Sequence, residues 1–174
     1  MTEGVSGITT GPDGALWFTY SVTTSTGGGP RVGRMSTAGQ ATEFTLPSEA
    51  SLTPVGQNSR IVSGPGGKLW FTMESLGATN FIGAASTSGE ITVYGIPTMP
   101  TKTVPGAGAC GIAAGPDGNI WFAERAFGAI VRMTPSGTMT DVVHSTAGLT
   151  VGVTAGPDGN IWYTQNGGIG RTKP

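Results

Sequence analysis

Few residues in this chain could do chemistry, and the clearest of them recur at one spacing. Asp13, Asp117 and Asp158 each stand four residues before a tryptophan, at Trp17, Trp121 and Trp162. Three carboxylates in matching places would suit a repeated cation or proton-transfer site. Their neighbours argue for a turn instead. In Gly11-Pro12-Asp13-Gly14, Gly115-Pro116-Asp117-Gly118 and Gly156-Pro157-Asp158-Gly159, proline pre-sets the first corner of a type I turn and aspartate suits the second. The last glycine then takes the left-handed position that closes a three-residue hairpin with a bulge. A fourth copy, Gly64-Pro65-Gly66-Gly67, drops the carboxylate and is expected to keep the geometry. An aspartate that one copy can lose reads as a turn residue. The only histidine, His144, could move protons near neutral pH, and the only cysteine, Cys110, could be a nucleophile if a base approached it. His144 ends an alternating apolar segment, so a solvated edge position is the simpler reading. Cys110 has no evident base and reads as a partly buried, inert thiol. Glu74 and Glu124 follow tryptophan segments and could give a hard cation its oxygen ligands, or be solvated loop residues.

The elements that must position these residues are short strands. Behind each turn runs Leu16-Trp17-Phe18, Leu69-Trp70-Phe71, Ile120-Trp121-Phe122 or Ile161-Trp162-Tyr163, too short for a helix and rich in strand formers. Apolar side chains on both faces imply that both faces are covered. The turns open at Gly11, Gly64, Gly115 and Gly156, spacings of 53, 51 and 41 residues that belong to repeat architectures. A second segment recurs inside each unit: Val32-Gly33-Arg34-Met35, Ile82-Gly83-Ala84-Ala85, Ile130-Val131-Arg132-Met133 and Ile169-Gly170-Arg171-Thr172. In three of the four a glycine turn and a further strand follow. With the short run before each opening turn as strand A, the tryptophan strand as B, and these as C and D, each unit is a four-stranded antiparallel meander.

That pattern predicts an all-β chain, a β-propeller of four blade-like repeats, with units at about 5–47, 59–97, 110–145 and 151–174 of a single domain spanning 1–174. The last blade lacks its outer strand, so a partial or open propeller is expected, with an open blade edge that invites self-association. An arc of a longer propeller is the preferred reading, two arcs completing one ring the second, and a four-bladed ring with a defective seam the third. Arg34, Arg132 and Arg171 share one place in strand C and suggest structural pairing. The first B–C connection, Ser21 to Pro30, is expected to be a mobile loop near the central opening.

Composition narrows the partners. With 31 glycines, 12 prolines and 11% charged residues, the 174-residue chain suits a turn-rich all-β protein, and its evenly placed aromatic residues argue against disorder. A formal net charge of −1 with nine scattered basic residues gives no footprint for nucleic acid, and no basic amphipathic face suits a membrane. No signal peptide is evident and one cysteine permits no internal disulfide, so a cytoplasmic location is expected.

The combined motifs, Gly-Ile-x-x-Gly-Pro-Asp-Gly-Asn-Ile-Trp-Phe-x-Glu around Glu124, then Ile-Gly-Arg-Met-x-x-x-Gly, then Thr-x-Phe-x-Leu-Pro, resemble the streptogramin B lyase (virginiamycin B lyase) family over residues 5 to 172. The resemblance implies a carbon–oxygen lyase that linearises cyclic depsipeptide antibiotics by elimination, with a role in antibiotic resistance, a bound magnesium ion and a small cyclic peptide ligand. It also implies catalytic histidines just before strand A and a glutamate just after strand B. Tyr20, Glu74, Glu124 and Gln165 fill the glutamate position, with Glu74 one residue late, and Ser6, Ser59, Cys110 and Val151 fill the histidine position. Glu124 is therefore the catalytic candidate, and Glu74, Tyr20, Gln165, Cys110 and Ser59 are candidates for the ligand-facing end. An elimination needs a base for the Cα proton and an acid for the leaving oxygen. With no histidine in place, the chain by itself is expected to be inactive, and a non-enzymatic propeller that binds a peptide, glycan or protein is the alternative.

Overall fold

The computed structural model describes residues 2–24, 27–47, 59–73, 80–97, 108–125, 127–144 and 149–174. Its strands form four separate antiparallel sheets. The first blade comprises β1 (Thr2–Thr10), β2 (Leu16–Thr24), β3 (Gly27–Met35) and β4 (Ala41–Thr45), and the second β5 (Ile61–Gly64), β6 (Lys68–Met73), β7 (Phe81–Ala85) and β8 (Ile91–Gly95). The third comprises β9 (Ala109–Ala114), β10 (Ile120–Glu124), β11 (Ala129–Met133) and β12 (Met139–His144), and the fourth β13 (Thr150–Ala155), β14 (Ile161–Gln165) and β15 (Gly168–Thr172). Each sheet is a simple meander, and the fourth has three strands, as the repeat pattern predicts. Blades meet chiefly through their first strands, β1 against β5, β5 against β9 and β9 against β13. Among the described residues β13 and β1 share no contact of comparable extent, and the four blades form an open arc.

The turns show why the motif repeats. Gly14 donates its N–H to the Gly11 carbonyl at 3.0 Å, and Gly11 donates to Ala15 at 2.8 Å, which closes a type I turn with Gly14 at φ +76°. The Asp13 carboxylate then accepts the Trp17 indole N–H at 3.0 Å and the Arg34 Nε–H at 2.7 Å. Asp117 and Asp158 likewise accept from Trp121 and Trp162, at 3.1 and 2.9 Å. Arg171 lies 3.4 Å from Asp158 and 5.3 Å from the centre of the Trp162 ring, so two of the three strand-C arginines pair with turn aspartates as expected. The aspartate anchors the indole edge of strand B and is spent there. The second copy departs from the expected geometry. Without a carboxylate, Pro65–Gly67 tightens into a 3₁₀ turn with both Gly66 and Gly67 at positive φ, and Trp70 donates to the Pro65 carbonyl at 3.2 Å instead.

Glycine in strand C has its own cause. A Cβ on Gly33, Gly83 or Gly170 would lie 2.2 to 2.3 Å from the facing ring of Phe18, Phe71 or Tyr163, so the missing side chain is the space in which the strand-B ring rests. Trp17, Trp70 and Trp121 are fully buried between blades. Each such ring removes about 150–250 Å² from water, a gross gain of roughly 4–6 kcal/mol. On the outer strands Phe44 stacks on Trp17 and Tyr94 on Trp70, at 5.5 and 5.9 Å between ring centres.

Two features differ from expectation. The first B–C connection is not a ten-residue loop, because β2 and β3 continue as a paired ribbon out to Thr24 opposite Gly27. The strand-forming run Val22-Thr23-Thr24 supports that extension. The residues before the expected first strand A also extend it, since β1 starts at Thr2 and pairs with β2 from there.

Candidate functional site

A meander places the A–B and C–D turns at one end of each blade and the B–C and D–A connections at the other. The turn aspartates therefore lie at the end opposite Tyr20, Glu124 and Gln165. Of these three, Glu124 is the chemically distinctive residue. It closes β10, opposite Ala129 of β11 and Ala109 of β9, and shares a strand face with Ile120 and Phe122. That face packs against the second blade, in the cluster that includes Trp70 and Ile82. Glu124 is 4% exposed, and neither carboxylate oxygen has a hydrogen-bond partner among the described residues. Burial, with a smaller contribution from the charge of Asp141, raises its carboxyl to about 7. A buried carboxyl without donors favours its neutral form, so protonation persists up to about pH 7.

Its backbone is fixed on both sides. The Thr150 hydroxyl, fully buried in the fourth blade, lies 3.3 Å from the Glu124 carbonyl and 3.1 Å from that of Ala129. Arg125 donates its N–H to the Gly108 carbonyl at 3.3 Å, and the Cys110 thiol donates to the same oxygen at 3.4 Å. Cys110 is buried, next to the residue that pairs with Glu124. Ser59 is also buried, and its carbonyl accepts from the Arg60 guanidinium at 3.4 Å. Tyr20 is buried beside Phe18, with ring centres 5.6 Å apart, and pairs with Val5. Gln165 is half-exposed opposite Thr150. Glu74 lies outside the described residues. His144 sits on the outer strand β12, exposed and 3.6 Å from Asp141, at the edge expected of it.

The structure adds a feature that the sequence reading missed. In three blades a β-bulge interrupts the first strand where it approaches this end: Ser6-Gly7 opposite Thr19, Cys110-Gly111 opposite Ala123, and Val151-Gly152 opposite Thr164. A bulge re-aims the side chain at its kink, which is why bulges gather near sites. Ser6, Cys110 and Val151 are three of the four positions where the resemblance implies histidine. The recurrent glycine one residue later was the available signal. Among the described residues no three carboxylate, histidine or cysteine side chains converge.

The model of the virginiamycin B lyase family matches residues 2–174. No curated protein sequence matches the chain. Among solved structures, a streptogramin B lyase is similar at 29% identity and a TM-score of 0.63 over 96% of this chain and 64% of that one. A catalytically inactive histidine-to-alanine virginiamycin B lyase from Staphylococcus aureus, with quinupristin, is similar at 26% identity and a TM-score of 0.63, over 99% of this chain and 70% of that one. A chain of a nidogen/laminin complex, 14% identical with a TM-score of 0.62 over 98% of this chain and 65% of that one, shares the fold alone. The chain thus spans about two thirds of the length of the lyases it matches, 64% in the first case.

Proposed function

Because the chain belongs to the virginiamycin B lyase family, we propose that its B–C and D–A end faces a cyclic depsipeptide and that Glu124 is the proton-holding group there. The observation that carries this reading is the Glu124 carboxyl, buried, without a donor among the described residues, and raised to about 7. A neutral carboxyl can protonate a leaving ester oxygen, and its anion can take a Cα proton. The resemblance implies histidines beside this glutamate for the elimination. The positions before the first strands hold serine, cysteine and valine, none of which supplies an imidazole. This chain alone is therefore expected to bind the ring without opening it.

Quinupristin is the probe, because it accompanies the similar Staphylococcus aureus protein. Saturable binding by calorimetry is expected, together with unchanged chromatographic retention of the ring. A retention shift at constant mass would reveal elimination and overturn the inactive reading, whereas a gain of one water would reveal hydrolysis. Absence of binding would remove the depsipeptide from the proposal. It would favour a non-enzymatic propeller for a peptide, glycan or protein, a reading supported by the burial of Ser59 and Cys110 where histidine is implied.

A further inference from the structure

A bulge in the outer strand of the third blade puts two ionisable side chains on the face that carries Glu124. The register runs straight across the sheet at this end, where Glu124 of β10 pairs with Ala129 of β11 and Ala129 with His144 of β12. Directly opposite residues share a face, so these three form one row toward the second blade. Asp141 and His144 are three residues apart and would take opposite faces of a regular strand. Here the register shifts: Ile130 pairs with Val143 and Val131 with Asp141, which leaves Val142 as the extra residue. The bulge thus returns Asp141 to the face of His144. Packing agrees, because Val131 belongs to the cluster of Trp70 and Ile82 and Met139 packs against it, whereas Val143 packs against that of Trp121 and Ile130.

The two ends of the row differ in their surroundings. At one end the Glu124 carboxyl is buried without a hydrogen-bond partner among the described residues. At the other, His144 and Asp141 lie 3.6 Å apart, with side chains 57% and 33% exposed. Ala129 stands between, so only a methyl group separates the ends across two strand spacings, about 10 Å of backbone. The other ionisable groups nearest the row are Cys110 on β9, Arg125 beside Glu124 and Arg60 on β5, the second-blade strand that packs on β9. Asp141 is the group whose charge acts on Glu124 in addition to burial. Among the described residues no set of such groups is close enough to hold a metal ion, so what these three can share is a proton.

We propose that Glu124, Asp141 and His144 are one proton-sharing set, in which the exposed Asp141–His144 pair governs the charge of the buried carboxyl. With a neutral imidazole, the Asp141 anion faces Glu124 unopposed and favours its acid form. An imidazolium masks that anion and makes the Glu124 carboxylate less costly. Moving a proton from one to the other breaks the carboxyl O–H and forms an imidazole N–H, and the net charge of the three is unchanged. His144 and Asp141 are positioning residues that act through Glu124. The coupling rests on the geometry of one blade and needs no ligand.

Because His144 is the only histidine, its ring-proton NMR signals report it alone. Its titration is expected to spread over two steps, as coupled groups do, and to narrow in Glu124→Gln to one step with a lower midpoint. Glutamate labelled with carbon-13 at its carboxyl reports Glu124, assigned by the signal lost in Glu124→Gln. Its midpoint is expected to fall from about 7 by roughly half a unit in Asp141→Asn, where a like charge is removed. In His144→Gln it is expected to rise, because the masking cation is gone. Opposite shifts are the signature, since loosening of the blade end would wet the carboxyl and lower the midpoint in both variants. A fall in both overturns the proposal, as does an imidazole curve that is the same in the parent and in Glu124→Gln. A midpoint near 7 that ignores Asp141→Asn would also remove the set while leaving the acid role of Glu124 standing. Failure of quinupristin to bind touches neither.

Discussion

Replacing Glu124 by glutamine should make the protein more stable at alkaline pH and leave it nearly unchanged at acid pH. The carboxyl stands at about 7 in the folded chain against an ordinary value of 4.5, because burial disfavours its anion and Asp141 adds to the effect. A carboxyl raised in the folded state contributes fully below 4.5. Its contribution is lost progressively as pH rises from there and is gone above about 7. The displacement corresponds to about 3 kcal/mol at pH 8. Glutamine is nearly isosteric with the neutral acid and does not titrate. Urea unfolding of both proteins at pH 5 and pH 8 isolates this group, since every other titrating residue is common to the pair. With a slope of about 2 kcal/mol per molar urea, the variant's midpoint should exceed the parent's by roughly 1.5 M at pH 8 and by only about 0.4 M at pH 5. If the difference between the two midpoints is the same at both pH values, Glu124 is not held neutral and its proton-holding role fails.

The remaining predictions concern the scaffold. Asp13→Ala removes the acceptor of the Trp17 indole and of Arg34 and should cost about 1–3 kcal/mol. A thermal melt would show this as a drop of roughly 2–12 °C, and an unchanged Tm would mean that Trp17 finds the Pro12 carbonyl, as Trp70 finds that of Pro65. Gly83→Ala drives a methyl into the fully buried Phe71 ring and should cost about 1–3 kcal/mol, whereas Gly33→Ala meets the half-exposed Phe18 and should cost less. Equal losses in denaturant titrations would contradict the packing account. Asp158 is held down to about 2, first by the Trp162 indole and then by Asn160, so its contribution is present above about 4 and lost as pH falls toward 2. Asp158→Asn should flatten the acid limb of a melting-temperature profile in that window, and an unaltered limb would remove this carboxylate from acid denaturation. Alkylation of Cys110 by iodoacetamide should be at least about a hundredfold slower in the native protein than in urea, and rapid native labelling would contradict its burial.

Much of the architecture was legible because it rests on short-range rules. Pro-Asp-Gly turns, alternating strand residues and a recurrent tryptophan each act within a few residues, and their repetition announces the meander and its missing outer strand. The turn aspartates could be assigned to the scaffold because the copy at Gly64 to Gly67 does without one. What escaped is where local rules compete with packing. The second turn changed form once its carboxylate was gone. The expected loop from Ser21 became ribbon because its valine and threonines pair as readily as they would hang free. The bulges at Ser6-Gly7, Cys110-Gly111 and Val151-Gly152 depend on how β1, β9 and β13 meet their partners.

The sequence by itself determined the blade, its order of strands and the residues that could matter at its B–C and D–A end, since these follow from turn chemistry, periodicity and identity of side chain. Only the tertiary structure decided that Glu124 is a buried carboxyl raised to about 7 while His144 is exposed on an outer strand, because a carboxyl's charge depends on the water and donors around it. It alone separated the buried Ile120 from the exposed Ile8, and the buried Trp121 from the half-buried Trp162. A residue type states what can be buried, and its neighbours across the blade settle whether it is.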